Sequence, residues 1–223
     1  MSSSFSIATT THGRVLVEHA ADRTSDRVLV TFHGYAQAAE DGLEAARAIP
    51  GVARRWHVVA VQALHRFYTR DDREVVASWM TRQDRDDAIQ DNIAYVDRAL
   101  DTILPSVQAG TARPPAVVFL GFSQGTAMAY RAAAGGRHPV AGVIALAGDI
   151  PPELKTANGR VSWPPVLVGV GTRETWYTAE KLAADITFLA AQEIPHEVCR
   201  FEGGHEWTAE FRAAAGRWLD RLA

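Results

Sequence analysis

The segment Gly121-Phe122-Ser123-Gln124-Gly125 sets one serine between two glycines. It directly follows the apolar run Ala116–Leu120 and directly precedes Thr126-Ala127-Met128-Ala129-Tyr130. A strand that runs into a helix with G-x-S-x-G at the corner holds its serine on a sharp turn, with the hydroxyl at the start of the helix. Side chains at the glycine positions would collide with the flanking strand and helix, and the helix dipole favours an anion developing at the serine oxygen. The chemistry such a corner serves is nucleophilic attack on an acyl carbonyl. The plainer alternative is a glycine-rich turn whose serine only caps the helix. No Gly-Lys-Ser/Thr follows, so the segment is not a phosphate loop.

A serine hydroxyl is a weak nucleophile and needs a base. There are eight histidines, and sites on parallel sheets form beyond the C-terminal ends of the strands. His57, His138 and His196 precede strand-like runs and stand at the wrong end, while His12 and His19 belong to the N-terminal segment. His33, His65 and His205 follow such runs. His205 comes after the last one, in Glu202-Gly203-Gly204-His205-Glu206-Trp207, where two glycines free the backbone to carry the ring over the sheet edge. It is the expected base. The chain order nucleophile, acid, base then asks for a carboxylate between Ser123 and His205 at a strand end. Glu174 follows Val166–Val170 and Asp149 follows Val143–Ala147. Glu174, beyond the second run after the corner, is the expected acid. Asp149 stays open as the alternative, its plainer reading being a turn residue before Pro151-Pro152. Two backbone N–H groups should stabilise the oxyanion: that of Gln124, next after the serine, and that of Tyr35, in the loop Thr31-Phe32-His33-Gly34-Tyr35. His33 is then a residue that holds this loop.

Placing these groups needs a sheet covered on both faces. The continuous runs Val28–Phe32, Val58–Val61, Ala116–Leu120, Val143–Ala147 and Val166–Val170 suit buried parallel strands. Ile89, Ile93, Val96, Leu100 and Ile103, and later Phe211, Ala215, Trp218 and Leu222, repeat at helical spacing and lay apolar stripes on helices. Phe5-Ser6-Ile7 and Val15-Leu16-Val17 flank His12-Gly13 like a hairpin, and a last strand spans about Glu197–Phe201. The expectation is one three-layer α/β domain over residues 1–223, with a mostly parallel central sheet and an N-terminal antiparallel hairpin.

The connection from Gln62 to Arg85 is long for a plain link and carries Phe67, Tyr68, Trp79 and Met80. These residues, with Trp176 and Trp207 on adjacent loops, are expected to wall a substrate pocket, the bland alternative being that Trp79 and Met80 pack beneath the loop. The run Asp84–Asp87 reads as a charged helix start rather than a metal site, and no metal or cofactor is expected. With a net charge of −3 and no Lys/Arg cluster, nucleic acid and anionic membrane are not expected partners. One cysteine, Cys199, suits a reducing compartment. The N-terminal residues lack a basic start and an apolar stretch, so a cytoplasmic location is expected.

Together these residues resemble the α/β-hydrolase superfamily, and more narrowly the phospholipase/carboxylesterase family, which includes acyl-protein thioesterases and many bacterial esterases. The carriers are His33-Gly34, the G-x-S-x-G segment, Ala145-Leu146-Ala147-Gly148, Gly171-Thr172-Arg173-Glu174 and Gly203-Gly204-His205. The resemblance implies nucleophile Ser123, acid Glu174, base His205 and oxyanion donors Tyr35 and Gln124. It implies hydrolysis of small-molecule carboxylic esters, thioesters among them, of small or medium acyl groups through an acyl-enzyme. An acyltransferase or a non-catalytic binding scaffold on the same fold are the alternatives. Two positions depart from the family pattern: Glu174 stands where Asp is usual, and Tyr35-Ala36-Gln37 replaces the thioesterases' second glycine and following Asp.

Overall fold

Each buried run of the sequence becomes a strand, and its alternating side chains divide between two cores. The computed structural model describes residues 2–69, 73–108, 114–156 and 163–222. In chain order the elements are β1 (Arg14–Glu18), β2 (Arg27–Phe32), α1 (Ala39–Arg47), α2 (Val52–Arg55), β3 (His57–Gln62), β4 (His65–Tyr68), β5 (Val75–Ser78) and α3 (Arg85–Gln108). There follow β6 (Ala116–Phe122), α4 (Gln124–Gly135), β7 (Gly142–Leu146), α5 (Pro152–Thr156), β8 (Val166–Gly171), α6 (Ala179–Ala191), β9 (His196–Phe201) and α7 (Ala209–Arg221).

The main sheet has seven strands in the order β1-β3-β2-β6-β7-β8-β9. All pairs are parallel except β1 with β3. On one face Val28, Val30, Phe32 and Phe119 pack with Tyr95 and Leu100 of α3, Met128 of α4 and Leu182 of α6. On the other, Leu29, Val118 and Leu120 pack with Ala46 of α1 and Phe211, Ala215 and Trp218 of α7. That is the three-layer arrangement the uninterrupted apolar runs require.

From β2 the chain moves to β3 on one side; from β6 it moves to β7, β8 and β9 on the other. The direction switches between β2 and β6, and a crevice opens at the carboxyl ends of strands at such a switch. Phe32 is level with Gly121 across that pair. The loop His33-Gly34-Tyr35 and the corner at Ser123 therefore leave the sheet side by side.

Two features differ from the sequence expectation. The N-terminal antiparallel strand is present as β1, but its partner is β3, not a strand at Phe5–Ile7. Phe5 and Ile7 lie outside any strand, 83% and 82% exposed. The apolar pair has no neighbour to bury it, whereas Val15 and Val17 find the edge of β3. The connection from Gln62 to Arg85 is also not a bare loop. β4 and β5 pair antiparallel within it, and Gln37 bridges to Ala77. Among the described residues no helix is long and apolar enough to cross a membrane.

At the corner, a Cβ on Gly125 would overlap the carbonyl oxygen of Phe32, a backbone atom that cannot swing aside. Gly125→Ala is therefore expected to cost about 3 kcal/mol, the upper range for overpacking. For a chain of this size that lowers Tm by roughly 6–12 °C. A circular-dichroism melt checks it, and an unchanged Tm would remove the steric role given to this glycine.

Candidate active site

Ser123 joins β6 to α4 with φ 54° and ψ −120°. A non-glycine residue held there costs about 1–3 kcal/mol and persists only where its surroundings over-determine it. They do so here. Ser123 N–H donates to Leu146 O at 2.9 Å, and Thr126 N–H donates to Ser123 O at 3.0 Å. The single Thr126 hydroxyl proton is shared between Gly121 O and Leu146 O, at 3.1 and 3.0 Å. Ser123 occupies the N-cap position, yet its side chain makes no capping hydrogen bond. The plainer reading, in which the hydroxyl serves only as a cap, does not describe it.

His205 follows β9, and its loop is zipped to the one after β8. Thr172 N–H donates to Phe201 O at 2.9 Å and Arg173 N–H donates to Gly203 O at 2.8 Å. A Cβ on Gly171 would come within 2.5 Å of the carbonyl oxygens of Gly203 and Gly204, so at this point the two loops meet backbone to backbone. This brings His205 Nδ1 to 2.9 Å from Glu174 Oε2. A carboxylate only accepts, so the proton sits on Nδ1 and Nε2 is left as an acceptor. The other carboxylate oxygen of Glu174 accepts from Thr175 N–H and Trp176 N–H, each at 2.8 Å. The Glu174 side chain is 1% exposed. Burial raises the cost of its charge, but the hydrogen bonds from Trp176 N–H, His205 and Thr175 N–H outweigh this and hold the carboxyl below the usual range. The Phe122 ring, next to Ser123 in the chain, lies 5.0 Å from the His205 ring. Asp149 is elsewhere: its partner is Lys181, at 3.6 Å. Arg173 points to solvent and pairs with Glu202 at 3.1 Å.

The loop after β2 is as tightly fixed. His33 Nδ1–H donates to Gly34 O at 2.7 Å, and its Nε2 accepts from Ala63 N–H at 3.1 Å. Burial pushes its pKa below the ordinary histidine value, against the pull of the Gly34 carbonyl. His33 is thus a neutral strut with both nitrogens in use. Gly34 N–H donates to Gln37 Oε1 at 2.7 Å. A Cβ on Gly34 would stand 3.4 Å from Ser123 Cβ, so the residue before Tyr35 is in contact with the corner. Gln124 opens α4, where the first backbone N–H groups have no partner within the helix.

Spacing alone did not reveal the side chain of Gln124. Its Oε1 accepts from Trp79 N–H at 2.9 Å, and its Nε2 donates to Ser78 Oγ and Met80 O at 3.1 and 3.2 Å. It moors the end of β5 to the corner. Trp79, expected on the pocket wall, has no exposed surface. Its Nε1–H donates to His33 O at 2.8 Å and its carbonyl accepts from Asn92 Nδ2 at 2.9 Å. Its ring packs on Phe32 and His33. The residue lies beneath the hairpin rather than facing a cleft, because β4 and β5 fold the connection down over the carboxyl end of β2 and the corner after β6. Met80 is half-buried, its sulfur 3.5 Å from Arg131 Nη1. Phe67 is half-buried against Tyr35, with ring centroids 5.6 Å apart. Tyr35, Tyr68 and Trp176 are exposed, at 62%, 70% and 73%. Trp207 packs between Phe122 and Phe211. Asp86 and Asp87 lie in the first turn of α3, and among the described residues no group of three or more His, Cys, Asp or Glu side chains could hold a metal ion.

Trp79→Phe keeps an aromatic ring in place, loses the pyrrole half of the indole and leaves His33 O without its donor. A buried acceptor left unpaired costs about 1–3 kcal/mol. Tm is expected to fall by roughly 2–12 °C, while the ratio of kcat/KM for butyrate against octanoate p-nitrophenyl esters stays constant. A tenfold change in that ratio at unchanged Tm would return Trp79 to the pocket.

A model of the phospholipase/carboxylesterase family matches residues 13–209. A search of curated proteins finds no match. Among solved structures, esterase PE8 is similar over 96% of this chain and 100% of its own, at 21% identity and TM-score 0.72. The carboxylesterase of Bacillus cereus is similar over 95% of each chain, at 14% identity and TM-score 0.73. Acyl-protein thioesterase 2 of Zea mays is similar over 95% of this chain and 99% of its own, at 18% identity and TM-score 0.72. Those likenesses speak for the fold, and the family match, which spans all but the ends of the chain, settles the rest: the chain belongs to the phospholipase/carboxylesterase family of α/β-hydrolases, and is a hydrolase of the carboxylesterase or thioesterase type.

Proposed function

We propose that the protein cleaves small-molecule carboxylic esters, thioesters among them, of small or medium acyl groups, with Ser123, His205 and Glu174 as nucleophile, base and acid. The observation that carries this reading is the 2.9 Å bond from His205 Nδ1 to a buried, threefold hydrogen-bonded Glu174. That bond fixes the tautomer whose Nε2 can take a proton.

In the first step Ser123 Oγ attacks the acyl carbonyl as its proton passes to His205 Nε2. Glu174 stabilises the imidazolium and does not itself take the proton. The oxyanion rests on the N–H groups of Tyr35 and Gln124, dipoles aimed in advance at the charge that develops. His205 gives its proton to the departing alcohol or thiol. Water, deprotonated by the same histidine, then attacks the acyl-enzyme; as the Oγ–acyl bond breaks, His205 returns that proton to Ser123 Oγ and the acid leaves. The exposed faces of Tyr35, Tyr68 and Trp176 supply apolar surface for the acyl or alcohol group. The lone Cys199 fits a cytoplasmic location.

A fluorophosphonate should label the wild-type protein once, as read by intact mass, and should not label Ser123→Ala. A folded wild-type protein that takes no label would favour a scaffold without catalysis. Glu174→Gln is expected to lower kcat by up to about 10⁴, the loss known for a triad stripped of its orienting carboxylate. Asp149→Asn should lower it by less than about tenfold, through small shifts in geometry. Steady-state kinetics on a p-nitrophenyl ester separates the two, and a crippled Asp149→Asn beside a healthy Glu174→Gln reverses the acid assignment.

A further inference from the structure

Asp185 lies on α6 with no exposed surface. Its Oδ2 accepts two hydrogen bonds, from Ile150 N–H at 3.0 Å and from the Tyr177 hydroxyl at 2.8 Å. Its Oδ1 lies 2.5 Å from the Lys155 ammonium nitrogen. Both hydrogen-bond donors are themselves buried, at 0% and 1% exposure.

The two donors sit on different loops. Ile150 belongs to the loop after β7, where Gly148 packs so closely on the corner that a Cβ there would stand 2.6 Å from Ser123 O. Tyr177 belongs to the loop after β8 that carries Glu174, and its neighbour Trp176 donates to Glu174 Oε1 at 2.8 Å. One carboxylate oxygen thus joins the loop backing the nucleophile to the loop bearing the acid. A buried ion pair is a poor device for stability alone, since apolar groups of the same volume often do as well. It does fix direction, because the anion must keep every donor that compensates its burial.

We propose that Asp185, acting through Tyr177, is a positioning residue for acyl transfer: it sets the Glu174 loop relative to Ser123 so that the carboxylate meets His205. The inference rests on the reading of Ser123, His205 and Glu174 given above.

The test is a cycle of wild type, Tyr177→Phe, Glu174→Gln and the double variant. Each is measured for kcat and KM on p-nitrophenyl butyrate and for Tm. Tyr177→Phe removes one hydroxyl and keeps the ring. It is expected to lower kcat about tenfold with KM within about twofold, since small misplacements of a catalytic group cost up to about a hundredfold in rate. In the Glu174→Gln background the same change should have no further effect, because there is no longer a carboxylate to place. A Tyr177→Phe enzyme with wild-type kcat, or a tenfold loss that persists in the Glu174→Gln background, overturns the positioning role alone. A Glu174→Gln enzyme as active as wild type overturns the acid assignment and the role with it. If the melt shows Tyr177→Phe to be unfolded, Asp185→Asn carries the same cycle with the same expected and overturning results. It keeps the side chain's shape and an acceptor oxygen but loses the pairing with Lys155.

Discussion

The contact on which the rest depends is backbone against backbone, where the corner after β6 meets the end of β2. Gly125 lies so close to the carbonyl groups of Phe32 and His33 that no side chain fits between them. The approach brings α4 down beside the loop that starts at His33. Ser123, two residues before, has a positive φ and is held there by Leu146 O at the end of β7. Three adjacent parallel strands, β2, β6 and β7, therefore deliver their C-terminal ends to one spot around Ser123, while Glu174 and His205 reach it from the loops after β8 and β9.

Two carboxylates show how surroundings decide what a charge does. Glu174 has a side chain that is 1% exposed, but two backbone N–H groups and the His205 ring converge on it, and it is held below the usual carboxylate range. Asp185 has no exposed surface, and burial lifts it above its ordinary value even against Lys155, Ile150 N–H and the Tyr177 hydroxyl. Desolvation opposes the charge in both. At Glu174 the donors are two backbone dipoles of its own loop and the His205 ring. At Asp185 the donors come from three separate segments and are drawn together by the anion.

The hairpin β4–β5 is moored to the corner after β6 and shows how a side chain away from the reacting atoms can hold two loops together. Gln124 supplies a backbone N–H at the start of α4, and its amide grips Ser78, Trp79 and Met80. Trp79 in turn caps the carbonyl of His33, whose ring spans Gly34 and Ala63. The loop after β2 and the corner after β6 are thus tied twice: once through close-packed backbone and once through this chain of hydrogen bonds.

The fold was legible in the sequence because its signals are local. Uninterrupted Val/Leu/Ile runs mean strands covered on both faces, helical spacing means an apolar stripe, and G-x-S-x-G at a strand-to-helix junction has one economical geometry. That Ser123, Glu174 and His205 each follow a strand end was legible for the same reason, since strand ends could be counted. Pairing was not legible. Val15–Val17 could have paired with Phe5–Ile7, and only the free edge of β3 decided otherwise. Glu174 and Asp149 both follow strands, and it took the zipper between the loops after β8 and β9 to bring His205 to the first and leave the second to Lys181. Trp79 looked like a pocket residue because an aromatic in a long connection carries no mark of which way it faces. Asp185 carried no mark at all: one Asp in an amphipathic helix reads as a surface charge until the folded loops bring Ile150, Tyr177 and Lys155 to it. Long-range contacts of this kind depend on where separate segments end in space, and neither spacing nor composition encodes that.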